Sequence, residues 1–278
     1  MTVGNEDEAM DEAALAHRNL IAYSRVITRW SSKGALGGDE GEDGNVLLYA
    51  GGSWIPVIGN GAFRLRDDVA SDDLIARADA FFADLGRGYS IKVRDNGADA
   101  DLPSVCAERG LAAFGDPVPE MICRRRLDDP VPPAGVVLRE VTDDRGVADF
   151  IAVNGDAYAT YGMPPDVLVD LFDRPGPLLA DEDTIVVVAY RDEQPVAAAL
   201  TYLSDGVAGL QWVGTVAAVR QMGLGRTVTE WATNVAFDRG ATCCTLQASP
   251  MGEPIYARLG YETLYHYREW VRWSAPTA

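Results

Sequence analysis

Residues 207–238 read VAGLQWVGTVAAVRQMGLGRTVTEWATNVAFD. The apolar run predicts a strand over 207–219. A helix is predicted from about 223 to 238, with Leu224, Val228, Trp231 and Val235 on one stripe. Two glycines stand where one becomes the other. A strand feeding directly into a helix through glycines builds an α/β unit, and the first turn of such a helix presents unpaired backbone N–H groups and a partial positive charge. An anion fits there. Gly223 and Gly225 keep side chains out of its way, and Arg220 and Arg226 add positive charge beside the loop. The stretch therefore reads as a pyrophosphate cradle. It is not a Walker loop, because Gly-Lys-Ser/Thr is absent. It is a poor dinucleotide fingerprint, because Val228 stands at the third glycine and the next strand ends in Gln247-Ala248-Ser249 without an acid.

The rest of the chain repeats a pattern. DDPVPPAG (128–135) holds three prolines and a glycine, which continue neither a helix nor a central strand. It reads as a linker between residues 1–127 and 136–278. After it come a strand at 136–141, helices at 143–160 and 164–172, strands at 184–192 and 195–204, and the unit described above. A strand at 242–249, a short helix ending at Gly260 and a long aromatic strand at 261–273 follow. Asp205-Gly206 marks a hairpin. Before the linker, a helix is expected over 11–30, strands near 46–50 and 55–65, a helix at 72–85 and a strand at 89–93. SVCAERGLAAFG (104–115) parallels PIYARLGYETLY (254–265), with Ala107 on Ala257 and Gly110 on Gly260. DLGRGYSIKV parallels FDRGATCCTL. Two matches in the same order point to a diverged internal duplication. The acidic, glycine-rich GGDEGEDG (37–44) reads as a mobile loop, and Gly59-Asn60-Gly61 as a turn or bulge.

Composition narrows the classes of function. Asp and Glu number 42 against 24 Lys and Arg, for a net charge of −18. Such a field repels a phosphate backbone, so nucleic acid is not expected as a partner, and it favours cationic small molecules such as amines. The acidic N-terminal stretch does not read as a signal peptide, and no run of about 18 uncharged apolar residues occurs, so no membrane span is expected. The four cysteines, Cys106, Cys123, Cys243 and Cys244, lack ligand spacing, and His17 and His266 are the only histidines. No metal site is expected; the cysteines read as buried thiols of a cytoplasmic protein.

The C-terminal half, roughly 136–273, resembles the GCN5-related N-acetyltransferase (GNAT) family. The resemblance rests on Arg220-Gln221-Met222-Gly223-Leu224-Gly225 at the start of a central helix, and on Tyr256-Ala257-Arg258-Leu259-Gly260-Tyr261 after the next strand. It implies an α/β fold of two tandem GNAT-like domains, each a mixed, mostly antiparallel sheet flanked by helices. It implies acetyl-CoA as cosubstrate, with its pyrophosphate on the N–H groups of about 221–226 beside Arg226. Its pantetheine arm would lie along Val213, Gly214, Thr215 and Val216. Backbone N–H groups near Thr215 and Val216 would serve the oxyanion, and Tyr256 would protonate the departing sulfur. The acceptor would be the amine of a small molecule or a peptide. Asn154, Asp156, Tyr158, Tyr161 and Tyr265 or Tyr267 are candidates for its walls.

The family often carries a glutamate on the central strands, where this chain has Gln211 and Trp212. Glu253, Glu230, Asp156 and His266 are nearby in sequence, and none is singled out as the base. A non-catalytic acyl-CoA sensor or scaffold is the alternative reading. The first half departs from the family: RLRDDVASDD replaces the phosphate loop, with Asp67, Asp68, Asp72 and Asp73 set to repel an anion, and Cys106 stands where Tyr256 would. It reads as a degenerate domain without the cofactor loop. A tandem pair of this kind is compatible with a monomer or a homodimer.

Overall fold

The computed structural model describes residues 4–39 and 44–274. Eleven strands and eight helices occur among them. In chain order they are α1 (Gly4–Val26), β1 (Ala35–Gly38), β2 (Val46–Ala50), β3 (Asn60–Arg64), α2 (Ser71–Asp84), β4 (Tyr89–Arg94), α3 (Leu102–Glu108) and β5 (Ala112–Cys123). Then come β6 (Val136–Glu140), α4 (Asp144–Ala159), α5 (Asp166–Leu171), α6 (Pro175–Leu179), β7 (Thr184–Arg191), β8 (Gln194–Ser204), β9 (Val207–Thr215), α7 (Leu224–Asp238), β10 (Cys243–Gln247), α8 (Glu253–Leu259) and β11 (Glu262–Arg272).

The strands form one continuous mixed sheet in the order β1-β2-β3-β4-β11-β5-β10-β9-β8-β7-β6. Only β3/β4 and β9/β10 are parallel; every other neighbouring pair is antiparallel. The order is nearly a mirror about its centre. At that centre the halves exchange strands: β11, from after the linker, pairs with β4, and β5, from before it, pairs with β10. β5 and β11 also pair with each other along most of their length. The tandem arrangement expected from the sequence is therefore realised as one shared sheet.

Local chemistry accounts for most of these elements. Two-residue turns with positive φ join β7 to β8 (Asp192, Glu193) and β8 to β9 (Asp205, Gly206), matching the right-handed twist of the strands. Asp143 caps α4 by accepting from the backbone N–H of Gly146 at 2.8 Å. On α7, Leu224, Val228, Ala232 and Ala236 are buried together, facing Ala197 and Ala199 of β8 and Ala208 and Leu210 of β9. The side chains opposite α7 are small, which lets the helix lie close to the sheet. On the other face, α1 and α4–α6 enclose a second core around Trp30, Phe150, Leu168 and Phe172. A third core packs α2 and α3 on β2–β4.

Several expectations are corrected. The strand expected at 55–65 is confined to β3, because Asn60 folds the preceding segment back by donating to the carbonyls of Ser53 and Ile55. The strand expected over 207–219 stops at Thr215, and 217–219 form one 3-10 turn. Of the loop expected at 37–44, Gly37 and Gly38 end strand β1, and residues 40–43 lie outside the described residues. The helix expected over 11–30 starts at Gly4, reaches Val26 and continues as a 3-10 turn to Trp30. No helix among the described residues is long and apolar enough to cross a membrane.

Candidate functional site

The site begins where two parallel strands part. β9 and β10 pair from Val207/Cys243 to Leu210/Leu246, and among the described residues no further pair joins them. A bulge drives them apart. Ala198 pairs with Gly214 but Leu200 with Gln211, so β9 carries an extra residue, and Trp212 takes φ 52°. The edge of residues 213–215 that faces β10 is left without a strand partner.

Trp212 is braced in this bend. Its indole N–H donates to the Tyr23 hydroxyl at 2.6 Å, and its rings meet Tyr158 and Phe172 edge-on at 5.4 and 5.8 Å.

The glycine loop closes one end of the gap. Gly223 sits at the N-cap of α7 with φ 82°, a conformation that a side chain would strain. A Cβ on Gly225 would touch Thr215 Oγ1 at 3.4 Å, so the helix start lies in contact with the strand end. The Thr227 N–H reaches the Gly223 carbonyl at 3.0 Å. The N–H groups before it, from Leu224 to Arg226, belong to the unpaired first turn. Arg226, at the exposed rim of the cleft, pairs with buried Glu230 at 2.7 Å. Arg220 turns inward: it donates to the carbonyls of Ala157 (2.9 Å) and Thr215 (3.3 Å), fastening the loop to the C-terminal end of α4. Asp156 makes a second tie by accepting from the Ala217 N–H at 2.5 Å.

Together these residues line a cleft of about 640 Å³, within the range of small-molecule sites. Val213, Gly214, Thr215, Arg220, Gln221, Gly223, Leu224, Gly225 and Arg226 all face it, as does Tyr256. Of the residues expected to hold the cosubstrate, Val216 and Met222 do not line the cleft; Val216 donates its N–H to Val196 and packs on the α4 side, and Met222 is exposed, with its sulfur 3.6 Å from Arg191. The 249–255 segment, with Pro250, Met251 and Ile255, forms a wall that sequence reasoning missed. Its Pro-Met-Gly-Glu-Pro composition marks a turn, but only the tertiary fold shows what it faces.

Tyr256 is buried on the floor of this cleft, and among the described residues no hydrogen-bond partner holds its hydroxyl. Burial, with smaller contributions from Tyr158 and Tyr161, pushes its phenol well above the ordinary tyrosine range. It is therefore a protonated donor at neutral pH. Tyr161 spans the cleft to donate to Ser249 Oγ at 3.3 Å.

The other candidates are dispersed. Asn154 is fully buried and donates to the Phe150 carbonyl. Tyr265 and Tyr267 lie in the core, with hydroxyls 3.0 Å apart and Tyr267 bonded to His17 Nδ1 at 2.7 Å. They miss the cleft because β11 runs between β4 and β5. His266 is turned to Asp95 at 3.1 Å, and Glu230 is occupied by Arg226.

The corresponding place in the first half is filled. β3 and β4 pair at Gly61/Ser90 and Ala62/Ile91 and then part. Arg64 and Arg94, at the two strand ends, clamp Asp99 between them at 3.0 and 2.7 Å, and Arg64 also reaches Asp101 at 2.7 Å. Burial opposes ionisation of Asp99, but the bonds from Arg94 win and hold its carboxyl below the ordinary range. Asp67, Asp68 and Asp72 pair with Arg94, Arg66 and Arg109 around the start of α2. A void of only about 10 Å³ remains, too small for a ligand.

A parted pair of parallel strands, a glycine-capped helix and a buried tyrosine opposite thus line one cleft. Residues 122–252 match the family model described as an acetyltransferase (GNAT) domain, and acetyl-CoA is that family's cosubstrate. Solved structures share the fold. A GCN5-related N-acetyltransferase from Kribbella flavida is 23% identical, with 94% of this chain and 96% of that one covered and a TM-score of 0.67. A tandem GNAT protein from the clavulanic acid biosynthesis pathway is 14% identical, covering 99% and 97%, with a TM-score of 0.60. A GCN5-related N-acetyltransferase from Sphaerobacter thermophilus is 14% identical, covering 87% and 84%, with a TM-score of 0.59. At these identities the likeness concerns the fold. No curated protein matches the chain.

Proposed function

We propose that the protein transfers an acetyl group from acetyl-CoA to an amine by direct attack in a ternary complex. The observation that carries this is the open gap between β9 and β10, with a glycine-capped helix N-terminus at one end and the partnerless Tyr256 hydroxyl within it. In this reading the N–H groups of 221–226 take the pyrophosphate. The free edge of 213–215 pairs with the amides of the pantetheine arm as an added strand would. The backbone N–H at Thr215 faces the developing oxyanion, while that of Val216 is already committed to the Val196 carbonyl. Tyr256 delivers its proton to the thiolate as the carbon–sulfur bond breaks. Tyr158 and Tyr161 give the acceptor end an aromatic wall suited to a cationic or ring-bearing amine. Residues 136–278 form the catalytic domain, 128–135 the linker and 1–127 a degenerate domain without a cofactor loop.

Calorimetric titration of acetyl-CoA into wild type and Gly223→Glu tests the placement. The expected result is binding in wild type and a loss of at least about 100-fold in the variant, since bulk and negative charge then occupy the anion's position. Gly223→Asn, which tolerates the left-handed backbone, separates strain from charge and retains most of the affinity. Equal binding in wild type and Gly223→Glu would move the cosubstrate elsewhere.

A further inference from the structure

The proposed reaction needs a group to take the acceptor's proton, and the residues lining the cleft supply no free carboxylate. One carboxyl stands just beside it. Glu120 of β5 is opposite Gln247 of β10 and Tyr265 of β11. Gln247 directly follows Leu246, the last β10 residue paired with β9. Met121 and Leu246 pack towards α7 and α8, so their neighbours Glu120 and Gln247 point to the opposite face. Gln211, opposite Leu200 of the α4-side core, shares that face. Gln211, Gln247 and Glu120 thus form a polar row across three strands at the level where the gap opens.

The row is incompletely bonded. Glu120 is 3% exposed, and its Oε2 is buried without a hydrogen-bond partner. Unpaired buried polar atoms are rare, and one beside the edge of a gap marks a place for a ligand's polar group. Strands lie about 4.8 Å apart, so Glu120 starts one strand from the gap.

We infer, on the basis of the acetyl-transfer reading, that Glu120 is the proton acceptor for the amine, delivered to the C-terminal site by a strand of the N-terminal half. The acceptor's ammonium gives one proton to the Glu120 carboxylate. The freed nitrogen attacks the thioester carbon; the carbon–nitrogen bond forms and the carbon–sulfur bond breaks. Tyr256 protonates the thiolate, and the nitrogen's surplus proton restores the phenol. Glu120 then returns its proton to solvent, so amide, free thiol and one proton are the products.

The surroundings suit this role. Thr245 and Gln247 face Glu120 from β10, Tyr265 and Tyr267 from β11, and Lys92 from β4, its ammonium paired with Glu269. On α1, burial holds His17 neutral. Burial of Glu120 outweighs the hydrogen bonds and the Lys92 charge, pushing its carboxyl up to about 7, where a base works best at neutral pH.

The test uses protein carrying carbon-13 at glutamate carboxyls, observed by NMR against pH. One carboxyl should titrate near pH 7, vanish in Glu120→Gln, and shift its midpoint when acetyl-CoA fills the gap. Thiol release with a panel of primary amines should fall about 100-fold in Glu120→Gln and lose its rise through pH 7, with acetyl-CoA affinity changed no more than the midpoint shift accounts for. If wild type binds acetyl-CoA but the Glu120 carboxyl does not respond to it, the inference fails and the acetyl-transfer reading stands. If wild type binds no acetyl-CoA, the reading fails and takes the inference with it.

Discussion

Two parted strand pairs occupy mirrored places in one sheet and have opposite contents. Between β9 and β10 lies a cleft of about 640 Å³; between β3 and β4, a void of about 10 Å³. The same backbone device serves ligand access in one case and sealed packing in the other. The side chains at the strand ends decide which. The C-terminal pair ends in Thr215 and Gln247; the N-terminal pair ends in Arg64 and Arg94, locked on Asp99. Between the N-terminal strands a buried ion cluster fills the gap.

That contrast can be broken at several places. The largest change in stability is expected from Asp99→Ala, which leaves two buried guanidinium groups without their shared partner. Urea unfolding should show a loss of about 3–5 kcal/mol, with acetyl-CoA affinity retained in the protein that remains folded. A loss below about 1 kcal/mol would mean that the cluster is not what seals this half.

Glu120→Gln sharpens the comparison through pH. The folded carboxyl titrates at about 7 against a reference of 4.5, so its contribution to stability is complete below about pH 4.5 and disappears as pH rises through 7. Thermal unfolding should show wild type losing about 3 kcal/mol between pH 5 and pH 8 relative to Glu120→Gln. Parallel profiles would contradict the raised carboxyl.

Tyr256→Phe should lower turnover about 100-fold with little change in acetyl-CoA binding; an equal loss in both would leave the phenol a packing role only. The smallest effect belongs to Asp72→Asn in the sealed half. It should change stability by less than about 0.5 kcal/mol and create no acetyl-CoA site, because the gap behind it is filled.

The strand–loop–helix unit at 207–238 was legible because its signals are local: an apolar run, two glycines and a stripe at helical spacing all lie within a few turns of one another. Tyr256 was legible through its motif. The exchange of β5 and β11 was not. Nothing in the alternation of either strand encodes which partner it meets more than a hundred residues away. This hid Glu120, and it made Tyr265 and Tyr267 look like cleft residues when they belong to the core. The inward turn of Arg220 was equally hidden, because a charged residue beside a phosphate loop reads the same whether it faces a ligand or a carbonyl.

The exchanged strands also constrain how the chain reaches this state. The first half lacks the neighbour of β4 until residues 262–272 have been synthesised, so an emerging chain carries an open sheet edge across most of its length. Its folding is bound to contacts of large sequence separation, which form slowly. The two halves should therefore melt as one cooperative body, and neither is expected to survive as an isolated fragment.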